Sequence, residues 1–152
     1  MAAFYWYEND VELFTGEKHA MNKFFPRFQL QKLKNGKLSW IGSLSPEKKT
    51  WFIQAVYQHN HPDNSSYGGS IRVYTIDPDL DELQRRKGNI PHILRDDVGH
   101  LYLCTARMKD IKAGHVVTSA ASSIAWAAKW ISAYELWEEG ILSDTDFRQH
   151  GI

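Results

Sequence analysis

The 152-residue chain carries 18 lysines and arginines against 18 aspartates and glutamates, scattered along its length, so it lacks the electrostatic footprint of a nucleic-acid binder. Its single cysteine can form no internal disulfide, which fits a reducing compartment. No secretory signal pattern is present and the apolar run 2–7 is far too short to cross a bilayer, so a cytoplasmic protein that does not span a membrane is expected.

A chain of this length buries about two-thirds of its unfolded surface as one domain, expected over 1–152. The compositional excess is aromatic: six Trp, seven Tyr and seven Phe supply core, with some left for a partner-facing surface. From Glu8 to Phe25 the apolar positions Val11, Leu13, Phe14, Met21, Phe24 and Phe25 fit a helix, with Asn9 or Asp10 placed to cap it and Pro26 to stop it. Phe28 to Leu44 reads as a strand pair turning at Asn35-Gly36. Thr50 to Gln58 alternates strongly as a strand, residues 59–69 form a polar loop, and Ser70 to Ile76 is a further strand ended by Asp77-Pro78. About four strands with short turns make an antiparallel meander.

Asp79 to Gly88 reads as a helical turn at most, or a solvated loop. Pro91 to Asp97 is a polar approach to the run Gly99-His100-Leu101-Tyr102-Leu103-Cys104-Thr105, where Leu101 and Leu103 face one side of a strand and His100, Tyr102 and Cys104 the other. After a connection near Gly114, Thr118 or Ser119 caps the longest helical pattern in the chain, which runs to about Glu139 and ends at Gly140. Ile124, Ala127, Ala128, Ile131 and Tyr134 line one of its faces, and Trp126, Trp130, Ala133 and Trp137 a neighbouring one, so the helix is covered over much of its girth. The tail from Ser143 adds a short turn. This order gives an α+β, two-layer architecture.

Among groups that carry chemistry, the lone thiol of Cys104 stands out, although a single cysteine more often serves as a small buried hydrophobe. His59, His61 and Asp63 share one loop, but no third strong ligand completes a zinc set. No GxGxxG or Walker pattern is present, and neither a metal nor a cofactor is expected. His100 lies about 13 Å from Cys104 along an extended strand, whereas His92 or His115 can approach the thiol if the chain folds back. Asp96 and Asp97 read as a turn or as an acid/base pair.

Taken together, Pro91-His92, Gly99, Leu103-Cys104, the pieces around Pro62, Ile71-Arg72-Val73 and Asp77-Pro78-Asp79-Leu80, and the Trp-rich helix 125–140 resemble the ubiquitin-conjugating enzymes. The bacterial members found beside cGAS-like nucleotidyltransferases in CBASS anti-phage operons are the nearer likeness, over about residues 27–140. The resemblance implies the fold of that family and a thioester on Cys104 with the C-terminus of a cGAS-like nucleotidyltransferase, followed by transfer to an amine on an unknown protein acceptor. Eukaryotic members carry a His-Pro-Asn whose asparagine holds the oxyanion; here Ile90-Pro91-His92-Ile93 has none after the proline. Backbone N–H groups, His92 or His100 are then the candidates for that role, and Asp96, Asp97 or a nearby histidine for taking the acceptor's proton. Two other readings stay open: a non-catalytic interaction module of the same fold, and a cysteine hydrolase pairing Cys104 with His92 or His115.

Overall fold

The computed structural model describes residues 5–59, 61–62, 69–104 and 119–149. These form α1 (Trp6–Asn9), α2 (Val11–Phe24), β1 (Gln29–Lys32), β2 (Leu38–Leu44), β3 (Trp51–Tyr57), β4 (Ile71–Asp77), α3 (Leu80–Lys87), β5 (Ile93–Arg95), β6 (Leu101–Leu103), α4 (Ala120–Glu138) and α5 (Asp144–Gln149). The architecture is α+β, with an antiparallel sheet and a long helix toward the C-terminus. Among the described residues no helix is long and apolar enough to cross a membrane.

Local chemistry sets the element ends. The Asp10 carboxylate accepts the Leu13 N–H at 3.0 Å, capping α2. At the first hairpin Leu33 N–H donates to Lys37 O at 2.8 Å and Gly36 N–H to Leu33 O at 2.9 Å, leaving a three-residue loop 34–36. Gly36 ends that loop at φ +86°, a left-handed step that glycine makes without a Cβ penalty. Ser119 accepts the Ser122 N–H at 3.1 Å to start α4.

Among the described residues six strands pair antiparallel in the order β1-β2-β3-β4-β6-β5: the expected four-strand meander, the expected strand at Leu101–Leu103, and one more. The additional strand is β5, so Ile93–Arg95, expected as loop, pairs with β6 as a hairpin. Ile93-Leu94-Arg95 carries no apolar–polar alternation, so periodicity does not reveal it. The segment after Asp79, expected as a turn, is an eight-residue helix. Asp79 caps it, Asp81 and Glu82 occupy its first turn, Arg85, Arg86 and Lys87 its last, and Leu80 and Leu83 are buried at i, i+3 spacing.

Leu30, Trp40, Ala55, Val73, Leu103 and Ile93 are successive register partners, so one row of apolar side chains crosses the whole sheet on one face. Helix α4 covers that face with Ile124, Ala127, Trp130, Ile131 and Tyr134, all buried. Trp51 meets Trp130 and Tyr134 edge-on, with ring centres 5.9 and 5.5 Å apart. A Cβ on Gly42 would fall 2.6 Å from the Phe28 ring, so only glycine lets that ring sit against β2.

A buried polar chain ties α2, the sheet and α4 together. The Trp40 Nε1–H donates to the Tyr57 hydroxyl at 2.9 Å, and that hydroxyl donates to Glu17 Oε1 at 2.6 Å. The same oxygen accepts the Ala120 N–H at 2.8 Å, placing a carboxylate on the positive end of α4. Burial and the Glu17 carboxylate push the Tyr57 phenol far above its ordinary range. The other end of α4 carries Glu135, Glu138 and Glu139, which its dipole disfavours. Lys48 pairs with Glu139 at 2.9 Å, and Lys49 and Lys87 pair with Glu138 at 3.2 and 3.3 Å.

His61 packs against the Trp6 and Tyr57 rings, with centres 4.5 and 5.0 Å away, and its Nδ1 lies 2.8 Å from Ser70 Oγ. Burial pushes its imidazole down from 6.5 to about 4.

Two stability outcomes follow from these buried groups. Glu17→Ala leaves the Tyr57 hydroxyl and Ala120 N–H buried without their acceptor and is expected to cost about 2–4 kcal/mol in urea denaturation, against about 1–2 for Tyr57→Phe. A loss for Glu17→Ala below about 0.5 kcal/mol would contradict the network. Because the folded imidazole titrates below the unfolded one, its contribution is complete above pH 6.5 and is lost as pH falls toward about 4. Wild type should therefore lose up to about 3 kcal/mol more than His61→Leu across that window. Equal pH dependence in both proteins would show that His61 is not held neutral.

Candidate functional site

The β5–β6 hairpin carries the candidate nucleophile. Asp96 builds its turn: Oδ1 accepts the Val98 and His100 N–H groups at 3.1 and 2.8 Å, while Oδ2 accepts the Tyr74 hydroxyl at 2.9 Å. Partial burial alone pushes the Asp96 carboxyl up, but the His100 N–H, the Tyr74 hydroxyl and the Val98 N–H outweigh it and hold it below its usual value. Burial, helped by Asp96, pushes the Tyr74 phenol up to about 12. Helix α3 supports the same hairpin from its first turn, where Asp81 accepts the Leu101 N–H at 3.1 Å and meets His100 Nδ1 at 3.2 Å.

Cys104 follows β6 directly and is half-buried. Its N–H donates to the His92 carbonyl at 2.9 Å, extending the ladder one step past both strands. Leu101, Tyr102 and Leu103 before it are all buried, so both faces of β6 are covered. Leu103 joins the core, while Tyr102 lies beside Tyr74 at 5.6 Å with the Arg72 guanidinium 4.9 Å from its ring centre.

The loop opposite Cys104 is unusual. Asn89 and His92 both have positive φ, +54° and +57°, in residues that pay a steric cost there. Contacts from three helices over-determine this path. Gln84 of α3 accepts the Ile90 N–H at 3.1 Å. Trp130 of α4 donates its Nε1–H to the Pro91 carbonyl at 3.2 Å. In α5, the Phe147 carbonyl lies 2.8 Å from His92 Nε2, and Arg148 reaches the Asn89 carbonyl at 3.4 Å.

Of the residues singled out from sequence, the structure thus brings Cys104 and His92 together through the backbone, with the His92 ring turned to α5. His100 and Asp97 sit at the closed end of the hairpin, both exposed, and His100 is about 13 Å along the strand from Cys104. His115 and Thr118 lie outside the described residues, as do Asp63 and most of the polar loop 59–69. His61 is a core residue. Among the described residues no group of three His, Cys, Asp or Glu side chains could hold a metal ion. Sequence reasoning did not pick out Asp81, Tyr74, Trp130 or Phe147 as supports of the site. The Asp79 cap with its acidic-to-basic gradient signals α3 and hence Asp81; nothing local signals the others.

An antiparallel sheet covered by one long helix, with a half-buried thiol where a short edge hairpin opens, defines an α+β protein with a thiol-centred candidate site. A family model described as the Type II CBASS E2 protein matches residues 17–140, and the chain belongs to that family. No curated protein matches the chain. The matched region runs from Glu17 through Cys104 to Gly140, taking in the sheet and α4 and leaving α5 outside.

Proposed function

We propose that this protein has the ubiquitin-conjugating fold and is a thioester-forming conjugating enzyme of a bacterial CBASS anti-phage system. Membership of the CBASS E2 family, with the chain's sole cysteine inside the matched region at the mouth of the hairpin, is the observation that carries this reading. The Cys104 sulfur attacks the activated C-terminal carbonyl of a cGAS-like nucleotidyltransferase; a C–S bond forms, the thiol gives up its proton and the activating group departs. An amine on a protein acceptor then attacks the thioester, an amide forms, and the cysteine sulfur leaves. A bare carboxylate does not acylate a thiol, so in this reading the donor carbonyl meets Cys104 already activated, for example as an acyl adenylate.

Cysteine needs no strong base beside it at neutral pH. That suits a site in which His100 and Asp97 stand at the far end of the hairpin. The Cys104 N–H is already committed to the His92 carbonyl, so the oxyanion's donor in this reading is another group.

Intact-mass spectrometry of this protein with the neighbouring nucleotidyltransferase, its C-terminus supplied in activated form, tests the reading. Wild type should gain an adduct that thiol reductant removes. Cys104→Ala should gain none, and Cys104→Ser none or a reductant-resistant oxygen ester, both variants remaining folded. An adduct on Cys104→Ala, or none on wild type under any condition, would move the assignment to a non-catalytic interaction module.

A further inference from the structure

Phe147 belongs to the last turns of a short helix, where backbone carbonyls lack intrahelical partners and carry the negative end of the dipole. A carbonyl oxygen only accepts hydrogen bonds, so the His92 Nε2 that lies 2.8 Å from Phe147 O is the donor. The neutral imidazole is therefore fixed as its Nε2–H tautomer, with the lone pair on Nδ1. The ring is further wedged against the fully buried Phe147 side chain, its centre 5.8 Å away, and that phenyl packs on Trp130 and Trp137 at 6.0 and 5.7 Å. The held ring belongs to a residue at φ +57°, whose own carbonyl accepts the Cys104 N–H.

From this unbroken chain of contacts, and resting on the reading of Cys104 as the acyl carrier, we propose that His92 is a positioning residue for the thiol and that helix α5 is a working part of the site. The Phe147 carbonyl holds the His92 ring, the ring fixes the left-handed backbone step at residue 92, and that step sets the carbonyl that aims Cys104. The matched region ends at Gly140, so this support lies beyond the part of the chain that the family model covers.

Three readouts on the full chain test the proposal. Long-range 1H–15N spectra of wild type near pH 8 should show His92 as the Nε2–H tautomer; the Nδ1–H tautomer would overturn the assignment. His92→Leu, which cannot donate to Phe147 O, should slow thioester formation at saturating donor by about tenfold with an unchanged half-saturating donor concentration. His92→Gln, whose amide nitrogen reaches the Nε2 position, should recover to within about threefold of wild type. Alkylation of Cys104 by iodoacetamide needs no donor, and His92→Leu should change its rate by about threefold or more while His92→Gln should not. A folded His92→Leu with wild-type alkylation and thioester rates would refute the positioning role. Should wild type form no thioester, the proposed function fails by itself, and the tautomer and the alkylation rates still decide the role of His92. Should His92→Leu not fold, the wild-type tautomer and the His92→Gln rates decide it.

Discussion

The indole of Trp130 joins the hydrophobic core to the candidate site. Its ring is buried between Trp51, Tyr134 and Phe147, and its one polar atom reaches out of that cluster to the Pro91 carbonyl. A buried indole N–H without an acceptor is costly, so packing α4 on the sheet and placing residues 90–92 opposite Cys104 are coupled events. The strained steps at Asn89 and His92 persist because the surrounding helices leave the loop little alternative. Cys104 thus inherits its position from the core, although it is not itself part of it.

The helix carrying Trp130 is held at both ends by charge. Glu17 neutralises its N-terminal dipole from inside the protein, through the hydrogen bonds that also satisfy Tyr57 and Trp40. Its C-terminal glutamates, unfavourable on dipole grounds, are offset by lysines from the β2–β3 turn and from α3. Exposed pairs of this kind stabilise little individually. The buried Glu17 junction is the one whose loss would be felt across the sheet, and Glu17 is also the first residue of the region shared with the CBASS E2 family.

Long periodic segments were legible from sequence: α2 with its Asp10 cap, β3, β4, and α4 with its Ser119 start and Gly140 end. So was β6, by the alternation of Leu101 and Leu103, but β5 and α3 were not. Ile93-Leu94-Arg95 offers no apolar–polar alternation to read, and β5 forms because the Asp96 turn folds it back on β6. Helix α3 was obscured by its charge, since only Leu80 and Leu83 face the core among eight residues. At the site, Cys104 stood out as the sole cysteine, and His92 by its place next to Pro91. The contacts of Trp130, Phe147 and Tyr74 join residues far apart in the chain. The positive φ at Asn89 and His92 left no mark either, because neither residue is a glycine.

The central claim is that Cys104 accepts an acyl group through the sulfur it holds at the mouth of the hairpin. Site-resolved fragmentation of a trapped complex with the neighbouring nucleotidyltransferase tests it most directly. The account predicts a cross-linked peptide in which the nucleotidyltransferase's terminal carbonyl is joined to Cys104. A terminal carbonyl joined to a lysine of this chain in a Cys104→Ala background, or a complex in which Cys104 is recovered unmodified, would contradict it.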